Sequence, residues 1–194
     1  MNKLLLSAIA LIASSSAANA SSIPVLDTVT PVGGVFQFSY SATLAGDTGL
    51  AFGNQLVIFD FGNYVAGSIS AGIYAADMDA FVELTSTLVP PPGLTDDPTI
   101  QNLVFRWKGA PFNASGGPFA DVSFAGLTAR STVNTVVLDG YSAVTTTNNG
   151  AATGRPAYNS GEVGVPVPEP ATAGLVLLGL VGAALRARRG QAPA

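Results

Sequence analysis

The chain has 194 residues and contains neither cysteine nor histidine, so disulfides, thiolate metal sites and imidazole acid–base catalysis are excluded throughout it. It carries 8 Lys+Arg against 12 Asp+Glu, and half of the basic residues lie near its two ends, which leaves the middle markedly acidic. Because nucleic acids are bound through clustered basic residues, we expect no nucleic-acid partner.

The N-terminal segment has the three parts of a secretion signal. Lys3 gives it a positive start, residues 4–13 are almost entirely apolar, and Ala18 and Ala20 form the small-x-small pattern that precedes a cleavage site. The pattern predicts a short signal helix that signal peptidase removes, so that the mature protein begins at Ser21. A buried N-terminal helix is the alternative.

The middle of the chain shows strand patterns separated by segments rich in Gly, Pro, Asn and Thr. In residues 102–108 we expect Leu103, Phe105 and Trp107 to point inward and Arg106 and Lys108 outward, which is the two-residue period of a half-buried strand. Residues 56–61 form a nearly continuous apolar run, typical of a central strand. Strands are predicted at residues 35–41, 56–61, 102–108, 121–125 and 132–138.

Three less regular regions complete this prediction. Asp139 and Gly140 predict a turn that closes the strand at 132–138. Residues 75–88 fit either a short helix or a strand, and we favour the strand. Residues 145–165 predict a loop-rich exit with a final edge strand. The expected fold is all-β, an antiparallel β-sandwich of about 8–10 strands.

The acidic residues of the middle offer one candidate metal site. Asp77, Asp79 and Glu83 are close in sequence, and alternate positions of an extended segment share a face, as a partial calcium site requires. A solvated acidic strand edge explains the same residues, so we predict no cofactor. Lys108 is the only lysine of the mature body and is expected to face solvent, which argues against Ser–Lys catalysis. We therefore expect a non-enzymatic body.

The C-terminal segment consists of a proline-containing motif, an uncharged apolar stretch at residues 171–185 and a basic cluster. Fifteen helical residues rise about 23 Å, against a bilayer core of about 30 Å, but snorkelling arginines and local thinning can cover the difference. An apolar core helix is the alternative; the following arginines favour a short transmembrane helix with a cytoplasmic end. The motif consists of Pro168, Glu169 and Pro170, and the cluster of Arg186, Arg188 and Arg189.

This three-part order, opposite a secretion signal, resembles the PEP-CTERM sorting signal of exported bacterial proteins. The resemblance implies that an exosortase-like enzyme recognises Pro168, Glu169 and Pro170 and processes the tail, which the arginine cluster retains in the membrane. It further implies transient anchoring in the inner membrane and delivery to the cell surface or extracellular matrix, in a setting of exopolysaccharide and biofilm production. Residues 60–67 and 96–105 also resemble one branch of these proteins, without implying an activity.

These patterns divide the chain into a signal peptide (1–20), a β-sandwich domain (21–165) and a sorting and anchor segment (166–194). The leading hypothesis is a non-enzymatic, exported surface or matrix protein. A carbohydrate- or matrix-binding module, for example one that binds exopolysaccharide, is the first alternative, and a cluster of exposed aromatic side chains on one sheet face would favour it. A polysaccharide-acting enzyme with two facing carboxylates and a permanently anchored protein are the others.

Overall fold

The computed structural model describes residues 22–167, which form a domain of nine strands and two single-turn 3-10 helices. The helices are Gly72–Tyr74 and Gly150–Ala152. No helix in this described range has the length and apolarity needed to cross a membrane. The strands are β1 (Ser22–Val32), β2 (Val35–Leu44), β3 (Thr48–Gly49), β4 (Gln55–Phe61), β5 (Met78–Glu83), β6 (Gln101–Trp107), β7 (Val122–Ser131), β8 (Val136–Thr147) and β9 (Pro156–Pro166).

The nine strands form two antiparallel sheets. The smaller sheet has the order β1-β2-β7, and in the larger sheet β9, β8, β4, β6 and β5 lie side by side. The short strand β3 pairs with the end of β8. The predicted all-β, antiparallel fold is confirmed, and β4 is a central strand as its apolar run indicated.

One apolar core lies between the two sheets. β2 contributes Phe38 and Tyr40 to it, and the larger sheet contributes Ile58, Phe61 and Phe105; all five side chains are buried. The rings of Phe38 and Phe61 meet edge to face with their centroids 5.4 Å apart. Side chains of both sheets in one cluster are the arrangement of a β-sandwich.

A second, smaller cluster lies on the outer face of the larger sheet. Val57, Phe59 and Val104 are fully buried there, and Leu88 from the connection between β5 and β6 packs against them. Both faces of β4 are therefore covered, which is why every residue of this strand is buried.

The hairpin of β1 and β2 was not predicted. Gly33 and Gly34 connect these strands with φ angles of 59° and 87°, which a two-residue hairpin turn requires and glycine adopts at little cost. Polar residues, together with Pro24 and Pro31, interrupt the apolar alternation of β1. They are tolerated because β1 is an edge strand, where an unpaired position needs no N–H group.

The predicted turn at Asp139 and Gly140 is wrong. β8 runs through both residues and pairs Asp139 with Val163 and Gly140 with Glu162. Close packing requires the glycine instead, because a Cβ atom at position 140 would lie 2.8 Å from the Cδ atom of Pro91. The strand predicted at residues 132–138 therefore starts later and continues much further.

Two other predictions have mixed outcomes. Residues 75–88 contain strand β5, as favoured. Residues 145–165 are not mainly loop, since they include the end of β8 and nearly all of β9, although β9 is the predicted final edge strand. The predicted signal helix and transmembrane helix lie outside the described residues.

Candidate functional site

The last strand holds the chain firmly at the point where the proline-containing motif begins. The amide N–H of Gly62 donates to the carbonyl oxygen of Pro166 at 2.8 Å, and the N–H of Val167 donates to the oxygen of Thr135 at 3.1 Å. Val165 is fully buried in the core. Pro168 therefore follows directly on a residue whose backbone is bonded to the domain.

Residues 166–189 match the family model of the PEP-CTERM protein-sorting motif. The chain carries a PEP-CTERM sorting motif. This motif implies that the protein is exported and is sorted by an exosortase-like enzyme through a membrane-anchored stage. No curated protein and no solved structure matches the chain.

The sandwich and the PEP-CTERM motif overlap in sequence. The match begins at Pro166, which pairs with Val136 in the sheet, and Val167 packs against the core. Two motif residues are thus part of the folded domain, and no linker separates the domain from Pro168. The residues predicted for sorting and for signal cleavage lie outside the described residues and stay predictions: Pro168, Glu169 and Pro170 for recognition; Arg186, Arg188 and Arg189 for retention; Ala18, Ala20 and Ser21 for signal cleavage.

A buried polar network lies at the same end of the sandwich. Asp60 has a φ of 51°, in the left-handed region, and its N–H donates to the Oδ1 atom of Asn102 at 2.9 Å. The Nδ2 group of Asn102 donates to Asp96 at 2.9 Å, and the N–H of Asp97 donates to the Asp60 carboxylate at 3.0 Å. The network joins β4 to the start of β6 and fixes the connection that covers the outer sheet face.

Burial raises the pKa of Asp60 to about 6, and this effect outweighs the hydrogen bond from Asp97, which lowers it. The negative charges of Asp139, Asp96 and Asp97 raise the pKa further. The pKa of Asp139 is also raised, again mainly by burial. This end of the domain therefore holds carboxyl groups that bind protons more readily than exposed ones.

Sequence reasoning did not find this network. Residues 60–67 and 96–105 were noted only as resembling other exported proteins, yet Asp60 and Asn102 from these segments are hydrogen-bonded neighbours in space. The available signal was a lone aspartate inside the apolar run of residues 56–61, because a charged residue in a central strand requires partners.

The structure does not bring the acidic candidate residues together as a metal site. Asp79 and Glu83 lie four positions apart on β5, about 13 Å along a strand, which is too far for one calcium ion to bridge. Asp79 instead pairs with Lys108 at 2.8 Å. The backbone oxygen of Asp77 accepts hydrogen bonds from Lys108 and Gly109. Within residues 22–167 no group of three potential metal ligands is present.

Lys108 faces solvent, as predicted. Its ammonium group is held by the carboxylate of Asp79, and both side chains are substantially exposed. Lys108 is thus part of an ion pair at the surface of the described domain.

Proposed function

We propose that this protein is an exported surface or extracellular-matrix protein whose β-sandwich is non-enzymatic and whose tail an exosortase-like enzyme recognises and processes. The observation that carries the proposal is the motif match at residues 166–189, which begins where β9 ends. In this proposal signal peptidase cuts after Ala20. The chain is then anchored transiently in the inner membrane and later reaches the surface or the matrix.

The tail residues have separate roles in this proposal. Pro168 and Pro170 keep the backbone extended and reduce the number of N–H donors, which suits recognition in an enzyme cleft. Glu169 precedes the apolar segment and is favourably placed near the positive end of a helix dipole. The arginine cluster resists crossing the membrane and retains residues 171–185 in the bilayer until the tail is cut.

Intact-mass measurement tests this proposal. The full chain is expressed in a bacterium that has an exosortase-like enzyme, and the mature product is weighed. A mass that lacks both the first 20 residues and the arginine cluster would support sorting. A product that keeps Arg186, Arg188 and Arg189 would favour the permanent anchor instead.

A matched pair of substitutions tests recognition through the motif. Glu169→Gln should leave export intact but cause the tail to be retained, because it removes the charge between the two prolines. Glu162→Gln removes the same charge from an exposed position seven residues earlier, in β9, and should leave processing unchanged. Normal tail removal in the Glu169 variant would contradict recognition through that carboxylate.

A carbohydrate- or matrix-binding module is the second candidate, and one groove favours it. Tyr158 of β9 is 67% exposed beside a groove of about 410 Å³ that Ser142, Asn159 and Ser160 also line. An aromatic ring beside hydroxyl and amide groups can bind a sugar through its apolar face and its polar edge together. One observation argues against this candidate. Among the described residues, most aromatic side chains that contact another ring pack in the core and are not exposed on one sheet face.

Binding to the exopolysaccharide of the producing cell tests this second candidate. Affinity electrophoresis would compare the wild type with Tyr158→Ala and with Phe52→Ala, which removes another exposed ring away from the groove. Retardation that only the Tyr158 variant loses would support a binding module. Equal mobility of all three proteins with and without polysaccharide would exclude binding through this groove.

A further inference from the structure

The start of β8 and the end of β9 form a two-stranded ribbon beyond the residues of β8 that pair with β4. β4 pairs with β8 only from Tyr141 to Val144. Earlier in β8, Val136 and Leu138 are paired with Pro166 and Gly164 of β9. Among the described residues, this start of β8 therefore has a strand partner on one side alone.

The ribbon ends in three consecutive exposed apolar residues, which we call the apolar tip: Val136, Val137 and Leu138. Their side chains are 43%, 39% and 68% exposed. Val136 and Leu138 lie on one face of the strand and Val137 lies on the other, so the tip exposes apolar surface on both faces. Apolar side chains left in water are unfavourable, and exposed apolar surface commonly marks a contact with a membrane or another protein.

The apolar tip lies at the place where the chain leaves the domain. Val167 is bonded to Thr135, the residue before the tip, and Val136 is paired with Pro166. Four residue steps separate Val167 from Ala171, and four extended residues span at most about 14 Å. The first residue of the uncharged stretch 171–185 is thus on a short tether from the tip.

This tether limits how far the tip can be from the bilayer. If residues 171–185 occupy the hydrocarbon core, Val167 lies within about 14 Å of the boundary of that core. The tip, on the paired strand, is at most one strand spacing further away. The headgroup layer itself is about 5–8 Å thick on each side. The ribbon end of the sandwich must therefore be at the membrane surface for as long as the tail is intact.

We infer that the apolar tip inserts into the headgroup–acyl boundary of the anchoring membrane and holds the domain against it while the sorting motif awaits processing. The inference rests on the proposed function, because it requires the membrane-anchored stage. Its partner is the lipid surface, contacted through apolar side chains. Asp139 and Glu162 lie next to the tip, and Asp60 is near Asp139, so attraction to anionic lipid does not drive the contact. Binding through apolar burial should therefore be insensitive to salt.

Site-specific fluorescence can test the inference, because the chain has no cysteine of its own. The full chain carrying Leu138→Cys is labelled with an environment-sensitive dye and reconstituted into phosphatidylcholine vesicles that contain lipids with a quencher at the upper acyl chain. Phe52→Cys is the matched control: position 52 is 80% exposed and precedes β4, whose other end contacts Pro166 about 20 Å away.

The expected result is a blue-shifted emission and strong quenching at position 138, unchanged by added salt, with neither effect at position 52. Flotation of the vesicles is measured in the same samples and reports anchoring separately. A chain that floats without quenching at position 138 overturns this inference and leaves the proposed function intact. A chain that does not float contradicts the anchored stage and the inference together.

Two further outcomes would assign the apolar tip to another partner and overturn the inference. A blue shift at position 138 without quenching by lipid would mean that protein covers the tip. If that shift depends on protein concentration, the cover is a second copy of the chain. If it does not, the cover is the chain's own tail, and it should disappear when residues 168–194 are deleted.

Discussion

The hydroxyl group of Tyr40 donates a hydrogen bond to the carbonyl oxygen of Gly164 at 2.9 Å inside the core. The bond joins β2 of the smaller sheet to β9 of the larger one, four residues before Pro168. Burial raises the pKa of Tyr40 far above its usual range, so the hydroxyl keeps the proton that it donates to Gly164. The last strand, and with it the start of the sorting motif, is therefore fixed from across the core.

Tyr40→Phe should lower the free energy of unfolding by about 1–3 kcal/mol, because it leaves the buried Gly164 carbonyl without this donor while the ring stays in place. Urea denaturation of the domain would measure the change. Tyr158→Phe removes a hydroxyl from an exposed ring and should change stability by less than about 0.5 kcal/mol. Equal stability of both variants and the wild type would mean that the Tyr40 bond contributes nothing.

Asp60 should make the domain more stable as the pH falls from 7.5 to 5. Its folded pKa of about 6 exceeds its ordinary value of 3.8, so the folded state binds more protons than the unfolded state in this window. We expect the free energy of unfolding to rise by about 1 kcal/mol from this group, or about 2–4 °C in Tm. Thermal denaturation at several pH values would measure it.

Asp60→Asn is the control for that pH dependence. The amide oxygen of asparagine can still accept the N–H of Asp97, but the side chain does not titrate. The variant should be more stable than the wild type at pH 7.5 and should gain less on acidification; the smaller contribution of Asp139 would remain. If the wild type and Asp60→Asn showed the same dependence of stability on pH, the Asp60 carboxyl would be ionised in the folded wild type at both pH values.

The strands that could be predicted from sequence are those whose apolar residues follow a clear pattern along the chain. Leu103, Phe105 and Trp107 occupy alternate positions and are all buried, as predicted, because the two-residue period of a strand assigns each side chain to a face directly. The sorting motif was predicted for a similar reason, since it is read from the order of residues along the chain and does not depend on the fold.

What could not be predicted depends on contacts between distant segments. Gly140 was interpreted as a turn residue because the position of Pro91 beside it is unknown from sequence. The left-handed Asp60 is satisfied by Asn102, which lies 42 positions away. β1 was missed because an edge strand can contain prolines and polar residues that disrupt the pattern.

Phe61→Ala should destabilise the domain by about 3–5 kcal/mol, because Phe61 is fully buried and packs edge to face against Phe38. Phe52→Ala removes the same side chain from a position that is mostly exposed, so its effect should stay within about 0.5 kcal/mol. Differential scanning calorimetry would separate the two variants clearly. A small effect of Phe61→Ala would contradict the shared core of the two sheets.

The two hydrogen bonds of the Asn102 amide give the last prediction. Asn102→Ala removes the acceptor of the Asp60 N–H and the donor to Asp96. Because these bonds belong to the buried network, the substitution should lower the free energy of unfolding by about 2–4 kcal/mol. Chemical denaturation at pH 7.5 would measure the loss.

Asn102→Asp distinguishes this polar role from simple packing. The substitution keeps the shape and the acceptor, but it replaces the donor to Asp96 with a carboxylate beside Asp60 and Asp96. It should therefore be strongly destabilised at pH 7.5 and recover as the pH falls, because protonation removes the repulsion and restores a donor. Asn102→Ala has no such group and should not recover to the same extent. If the two variants lost equal stability at every pH, Asn102 would act through its volume alone, and the network would not be what holds the connection between β5 and β6 against the sheet.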